Sequence, residues 1–330
     1  MARTIAIAIA RLLIPFAMRL RLGRWAIVMF YRRRFDRGGV SMNDALAKHV
    51  PDGIRIDADV RYGIGPREAL DVYRPERDWT SGRVLPVIVW VHGGGFLAGD
   101  KAQVANYAKI IACAGYVTVA VNYSLAPAAR HPTPTRQVNA AIAYLVANSQ
   151  RFNLDVGRVI LAGDSAGAQI AAQLALALTD SSFADSIGVS PSIPAKSLRA
   201  VALYCGLYDP DSVNPRSAED SFFQVVARSY LGARNMDGGQ LPPQFSIVRN
   251  INPDMPPLFI SAGNGDRLLA HSRTLAQAAA DAGVPTETLF FPSDYSPPAR
   301  HEYQFDLNSE AGRTALRRSL EFFASYCSLP

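Results

Sequence analysis

Apolar positions along this chain cluster into short stretches separated by polar and turn-forming residues, and the stretches show two periodicities. Apolar-rich stretches of strand length lie at 54–60, 70–73, 86–91, 117–121, 159–162, 198–204, 258–261 and 288–291. Helical patterns lie at 102–114, 135–149, 166–178 and 272–282, with a final one at 309–326. Strands and helices alternate over most of the chain, which predicts an α/β fold with an eight-stranded, mostly parallel sheet covered by helices on both faces. The first strands have no helices between them and are expected to open the sheet antiparallel.

Two segments break the alternation. Residues 210–257 are rich in Pro, Gly, Ser and Asn and contain one amphipathic piece at 218–231. The pattern therefore divides the chain into an N-terminal basic and apolar cap segment (1–50), an α/β domain built from 51–209 and 255–330, and an inserted cap segment (210–254). A long insertion of this kind is expected to serve a site, and open α/β sheets hold theirs at the carboxyl ends of the strands. Neither internal repeats nor low-complexity tracts occur.

Composition adds to this picture at the N-terminus. The 330 residues are 49% hydrophobic, enough for one large core. The net charge of +6 is concentrated: residues 1–40 hold nine arginines and only one acid, Asp36, and the remainder is slightly acidic. Nucleic acid is a poor match, because the basic residues form no recognisable binding module. Ile5, Ile7, Ile9, Leu12 to Ile14, Phe16 and the apolar stretch 25–31 alternate with Arg11, Arg19, Arg21, Arg24 and the cluster at 32–34. Charges interrupt every 18-residue window, so no transmembrane helix is predicted. Arg11 breaks the first apolar run and no small-residue cleavage site follows the second, which does not fit a secretory signal. Two readings remain for this segment: a helix on an anionic membrane surface with Trp25 and Phe30 at the boundary, or cap helices packed over the site. Both can hold together. Cys113, Cys205 and Cys327 are isolated, which predicts buried thiols and a reducing, cytoplasmic setting. The five histidines lack metal-ligand spacing, so neither a metal nor another cofactor is expected.

Two motifs carry chemistry. Gly163, Asp164, Ser165, Ala166 and Gly167 follow the run at 159–162 and precede a helical stretch, as a nucleophile elbow requires. A serine hydroxyl is a poor nucleophile, so it must stand on a sharp bend where a histidine can take its proton. His92, Gly93, Gly94 and Gly95 follow the run at 86–91. Their exposed N–H groups, with that of Ala166, suit an oxyanion hole, each donor worth on the order of 10²–10³ in rate. The run lacks the Lys and Ser/Thr of a P-loop and the spacing of a dinucleotide fingerprint. His92 itself reads as structural, and Asp164 as a residue that braces the elbow.

Together these motifs resemble the bacterial branch of the hormone-sensitive lipase family (family IV) of α/β-hydrolases, over about residues 54–326. Tyr123, Leu125, Ala126 and Pro127 match a further stretch of that family, while Ser124 and Ala128 depart from it where Arg and Glu are usual. In this fold the acid and then the histidine follow the serine. His301, in a polar loop between 288–291 and the last helix, occupies the location of the family's base; His271 begins a helical stretch and reads as a solvated residue. Asp266 follows the strand at 258–261, and Asp266 to Leu268 match the family's Asp-X-Leu pattern. Asp209, Asp294 and Asp306 lack that context, and Glu302 reads as a loop carboxylate.

The sequence thus predicts a serine carboxylesterase with catalytic Ser165, Asp266 and His301 and an oxyanion hole of Gly94, Gly95 and Ala166, acting through an acyl-enzyme. The resemblance implies short- to medium-chain acyl esters as small-molecule substrates and no cofactor. An amidase or lactonase would use the same groups, and a non-catalytic ligand-binding protein would use the same fold. The sequence is compatible with a homodimer.

Overall fold

A computed structural model describes residues 21–210, 221–232 and 241–327. It contains the eight-stranded sheet: β1 (Ile54–Arg61), β2 (Ala69–Pro75), β3 (Leu85–Val91), β4 (Val117–Val121), β5 (Leu154–Asp164), β6 (Leu198–Tyr204), β7 (Leu258–Ala262) and β8 (Thr286–Phe290). Their spatial order is β1-β2-β4-β3-β5-β6-β7-β8. β2 pairs antiparallel with β1 and β4, and every later pairing is parallel. β3 lies between β4 and β5 and is buried throughout, which explains its uninterrupted apolar sequence.

Alternation along β3 divides the core into two layers. Val87, Val89 and Val91 join Val119, Leu161 and Ile170, whereas Ile88 and Trp90 join Tyr107, Ile160 and Phe323. The first layer is covered by α3 (Thr133–Ala147), α4 (Ala166–Thr179) and α6 (Leu269–Asp281), and the second by α2 (Ala105–Cys113) and α7 (Glu310–Tyr326). The long N-terminal helix α1 (Arg21–Leu46) contributes Val28 to the first layer and Leu46 to the second. The short α5 (Ser221–Val226) continues into a π-helical turn at Ala227–Leu231.

Differences from the expected boundaries have physical causes. β5 starts at Leu154 rather than 159, because Leu154 and Asp155 pair with Leu85 and Pro86 of β3 ahead of an irregularity in the register. β8 is an edge strand whose Thr286 and Glu287 pair in register with β7 despite their polarity. The expected helix at 102–114 begins as a 3₁₀ turn, Lys101–Val104, capped by Asp100. The amphipathic piece at 218–231 is described from Ser221 onward, and the apolar run at 5–16 lies outside the described residues.

Two desolvated histidines, the buried His92 and the half-buried His131, lend this fold acid sensitivity. Desolvation pulls both His92 and His131 down to about 4. The His131 ring lies edge-on to Tyr230 and Phe245, with Nε2 2.8 Å from the Gln173 amide nitrogen that donates to it. In the unfolded chain each imidazole protonates near pH 6.5, so between that value and about 4 the unfolded state binds more protons. Each of the two histidines is expected to subtract up to about 3 kcal/mol from the unfolding free energy as pH drops from 6.5 to 4, so the urea-titration profile of His131→Gln should fall less across that window than that of the native chain. Identical slopes for the two proteins would contradict the desolvation of His131.

Candidate active site

Ser165 links the end of β5 to α4 with φ 52° and ψ −117°, a conformation that non-glycine residues seldom adopt. Its N–H donates to Tyr204 O at 2.8 Å, tying the bend to β6. The flanking glycines permit close approach of backbone to backbone. A Cβ on Gly167 would run into the carbonyls of Val91 and His92, and one on Gly163 would meet the Gly167 backbone. The elbow therefore sits directly against the end of β3, where the glycine loop begins.

Two other strand ends supply the partners. Asp266, after β7, accepts from Leu268 N at 2.8 Å through Oδ1 and faces His301 Nδ1 at 2.9 Å through Oδ2. His301 Nε2 is 3.0 Å from Ser165 Oγ. A carboxylate only accepts, so Nδ1–H donates to Asp266 and Nε2 is left to accept the Ser165 proton. The loops carrying Asp266 and His301 are laced together, with Gly265 N donating to Ala299 O at 2.8 Å and Ala299 N to Asn264 Oδ1 at 2.9 Å. Surrounding protein opposes charge on the His301 ring, but the hydrogen bond to Asp266 and the nearby Glu302 outweigh this and hold it well above its usual value. His271 is not solvated as expected: α6 packs its first turn inward and buries that side chain.

The glycine loop adopts backbone angles closed to most residues, with Gly94 at φ 109° and Gly95 at φ 60°. Leu97 N and Ala98 N both donate to Gly94 O, at 3.2 and 3.0 Å, which curls the loop into a tight turn. His92 Nδ1–H donates to Gly93 O at 2.7 Å, and its ring stacks on Tyr123 at 4.4 Å. Tyr123 O–H in turn donates to His92 O at 2.8 Å. The N–H groups of Gly94 and Gly95 have no hydrogen-bond partner among the described residues. Ala166 N–H is the first of α4, where intrahelical acceptors are lacking.

Three residues give the site a character that the motifs did not reveal. Asp164 is buried and accepts from Trp90 Nε1 at 2.8 Å. Desolvation and the Glu302 carboxylate beside it push its carboxyl well above the usual range. Glu302 stands in the left-handed region at φ 61°, with Oε1 3.9 Å from His301 Nε2. Cys205 follows β6 at φ 45°, donating its N–H to Ser261 O at 2.8 Å, and its sulfur lies within 4.8 Å of a ring nitrogen of His301. Its position at the carboxyl end of an apolar strand is the same signal that picked out Ser165 and Asp266. Among the described residues, Cys205, Asp266 and His301 form a group whose ligand atoms all lie within 4.8 Å of one another. Both imidazole nitrogens are already engaged, and burial pushes the Cys205 thiol up to about 11, so the trio is poorly prepared for a metal.

Helix α1 lies against this loop. Arg32 donates to Leu97 O at 2.7 Å and Ala126 O at 3.1 Å, and Asp36 accepts from Gly99 N at 3.0 Å. Arg67 donates to Tyr123 O at 2.9 Å and Gly99 O at 2.7 Å. These guanidinium groups brace the segment in which Ser124 and Ala128 depart from the family pattern. Phe222 of α5 packs between Tyr31 and Phe35 of α1, at 5.0 and 5.3 Å, and a Cβ on Gly95 would strike its ring. A cavity of about 360 Å³ remains between α1 and the glycine loop.

Comparison with known proteins gives a consistent family. The BD-FAE family profile matches residues 70–279. The esterase LipQ of Mycobacterium tuberculosis is 28% identical over 246 residues, 72% of this chain and 57% of the relative. An acetyl esterase of Salmonella schwarzengrund is 29% identical, over 62% of this chain and 63% of the relative. The chain thus spans about three fifths of the length of these curated relatives. The crystal structure of esterase B from Lactobacillus rhamnosis superposes with a TM-score of 0.75 at 19% identity, covering 92% of this chain and 96% of that one.

The burial of Cys205 is open to direct test. In the folded protein at pH 7.5 this thiol is expected to resist iodoacetamide and to become labelled in urea, as read by peptide mass spectrometry. Rapid labelling in the native state would contradict its burial and raised pKa.

Proposed function

Since the chain belongs to the BD-FAE family and shares the α/β-hydrolase fold of known esterases, we propose that it is a serine carboxylesterase. The observation that carries this reading is the relay from Ser165 Oγ through His301 to Asp266, at 3.0 and 2.9 Å, beside the glycine loop. Ser165 Oγ attacks the ester carbonyl while His301 Nε2 takes its proton. Asp266 keeps the imidazole in the required tautomer and stabilises its charged form. The carbonyl oxygen gathers negative charge as the tetrahedral intermediate forms, and N–H groups of Gly94, Gly95 and Ala166 receive it. The carbon–oxygen bond to the alcohol then breaks, and His301 returns the proton to the leaving oxygen. Water, deprotonated by the same nitrogen, releases the acid from the acyl-enzyme. Short- to medium-chain acyl groups are the substrates of choice, in keeping with relatives named acetyl esterase. Amides and lactones present the same carbonyl chemistry and rank second.

Residues 1–50 and 210–254 form the cap in this reading, meeting through Phe222 and excluding water from the acyl-enzyme. The outer face of α1 supports a peripheral membrane role as well. Leu22, Trp25 and Phe30 are 87, 57 and 65% exposed, and Arg33 and Arg37 follow on exposed positions of the next turns. Among the described residues no helix is long and apolar enough to cross a membrane. An apolar stripe followed by guanidinium groups suits the interface of an anionic bilayer.

Two experiments test these readings. A chain-length series of p-nitrophenyl esters is expected to show turnover favouring the shorter acyl groups, and Ser165→Ala is expected to lose at least 10³-fold, that is about 4 kcal/mol of transition-state stabilisation. Undiminished turnover in the mutant would move the activity elsewhere. The protein should sediment with phosphatidylglycerol vesicles and not with phosphatidylcholine ones. Replacing Arg33 and Arg37 by Gln should weaken that binding roughly thirtyfold, at about 1 kcal/mol per charge. Equal binding to both lipids would contradict the membrane reading.

A further inference from the structure

The proposed oxyanion hole is made of peptide N–H groups, and a peptide N–H points where its own plane points. In a trans peptide the carbonyl and the following N–H face opposite ways. The peptides of the glycine loop are trans, so whatever holds a carbonyl on one side of the loop aims the next N–H at the other. Gly93 O is held by His92 Nδ1 at 2.7 Å and Tyr123 O–H at 3.4 Å, which aims Gly94 N–H away from them. Gly94 O is held by Leu97 N and Ala98 N at 3.2 and 3.0 Å, which aims Gly95 N–H by the same rule. One further step leads out of the loop. Ala98 N–H can reach Gly94 O only while the Leu97 carbonyl faces the other way, and there that carbonyl accepts from Arg32 Nε of α1 at 2.7 Å.

Resting on the ester-hydrolase reading, we propose that Arg32 is a positioning residue for the oxyanion hole, acting through the Leu97–Ala98 peptide to keep Gly95 N–H aimed at the reacting carbonyl oxygen. Its planar fork suits the task. Nε takes Leu97 O while a terminal nitrogen takes Ala126 O at 3.1 Å, and Ala126 N–H donates in turn to Phe96 O at 2.9 Å, so one guanidinium ties the glycine loop to the segment beside it. Leu97 and Ala126 are buried, and among the described residues no backbone N–H donates to either carbonyl. One stripe of α1 anchors the clamp. Asp36, a turn further on, accepts from Gly99 N and Gln103 Nε2 at 3.0 and 3.2 Å, and Asn43 accepts from Asn106 N at 2.9 Å. Negative charge reaches the substrate oxygen only as the tetrahedral intermediate forms, so a donor that has lost its aim weakens the transition state and leaves ground-state binding alone.

The test compares kcat per Ser165 titrated to completion with a fluorophosphonate, so that misfolded chains drop out of the count. Arg32→Ala is expected to lower kcat for p-nitrophenyl acetate about thirtyfold and leave KM within about twofold, a misaimed donor costing less than a deleted one. A trifluoromethyl ketone, whose adduct with Ser165 carries the oxyanion, should bind more weakly by the same factor as kcat/KM. Arg32 borders a cavity of about 270 Å³ together with Asp36, Arg67, Asp100, Ser124 and Ala128. Methylguanidinium is therefore expected to enter the gap left in Arg32→Ala and restore much of kcat, whereas methylammonium, which lacks the fork, is not. Arg32→Lys keeps the charge without the fork and should lose about tenfold by the same measures, which carries the test if the alanine variant fails to fold. A kcat within about twofold of the native value, or a loss confined to KM, overturns the positioning role. Unchanged affinity for the ketone, or no advantage of methylguanidinium over methylammonium, overturns it as well. A native chain that hydrolyses no p-nitrophenyl ester overturns the ester-hydrolase reading and the role of Arg32 with it.

Discussion

Ser165 is held at φ 52° by contacts that have little to do with its hydroxyl. Its N–H is fastened to the Tyr204 carbonyl of β6, and the helix that follows is pressed so closely on the end of β3 that Gly167 has no room for a side chain. A bend of this kind costs on the order of 1–3 kcal/mol and persists only where the surroundings over-determine it. Here they are three adjacent parallel strands, β3, β5 and β6, which pair in unbroken register over their carboxyl-terminal halves, Val87–Val91 with 159–163 and Ile160–Asp164 with 200–204. The glycine loop, the elbow and Cys205 all lie at the carboxyl ends of those same strands. Loosening any of the three shifts the serine relative to its intended partners.

Burial keeps most of the ionisable groups around this pocket neutral. His92 is kept neutral by burial, Asp164 is kept protonated beside Glu302, and the Cys205 thiol stays un-ionised against the imidazole. Only His301 is biased toward the charged form, through Asp266. That pattern favours a reaction in which positive charge appears transiently on one imidazole and negative charge on one oxygen.

Sheet order and site differ in how far they were legible from sequence. All eight strands were readable because central parallel strands such as β3 are apolar without interruption, and their ends mark the site. Errors fell where tertiary pairing overrides composition, as at the polar start of β5 and along the edge strand β8. Glu302, read as a loop carboxylate, and Cys205, read only as a buried thiol, were not assigned to the site for another reason. A loop carboxylate next to a histidine gives no hint of direction in a linear sequence, and in a left-handed backbone at residue 302 it turns toward Asp164 instead of solvent. His271 was misread because a helix's first turn is often wet, whereas α6 packs that turn inward. The arginines of α1 likewise gave a charge total but not a division of labour, in which Arg32 grips the Leu97 and Ala126 carbonyls while Arg33 and Arg37 face outward.

The two faces of α1 tie the proposed lipid surface to the proposed chemistry, since the helix that bears Trp25 and Phe30 outside bears Phe35 and Gly38 along the cavity inside. Everything nevertheless rests on the serine being activated by its histidine. The most direct measurement is peptide mass spectrometry after brief treatment with a fluorophosphonate, on the native chain and on His301→Ala. The account predicts a single adduct on Ser165 that forms at least a hundredfold more slowly without His301. A native chain left unmodified, or labelled at Ser165 equally fast in the variant, would contradict it.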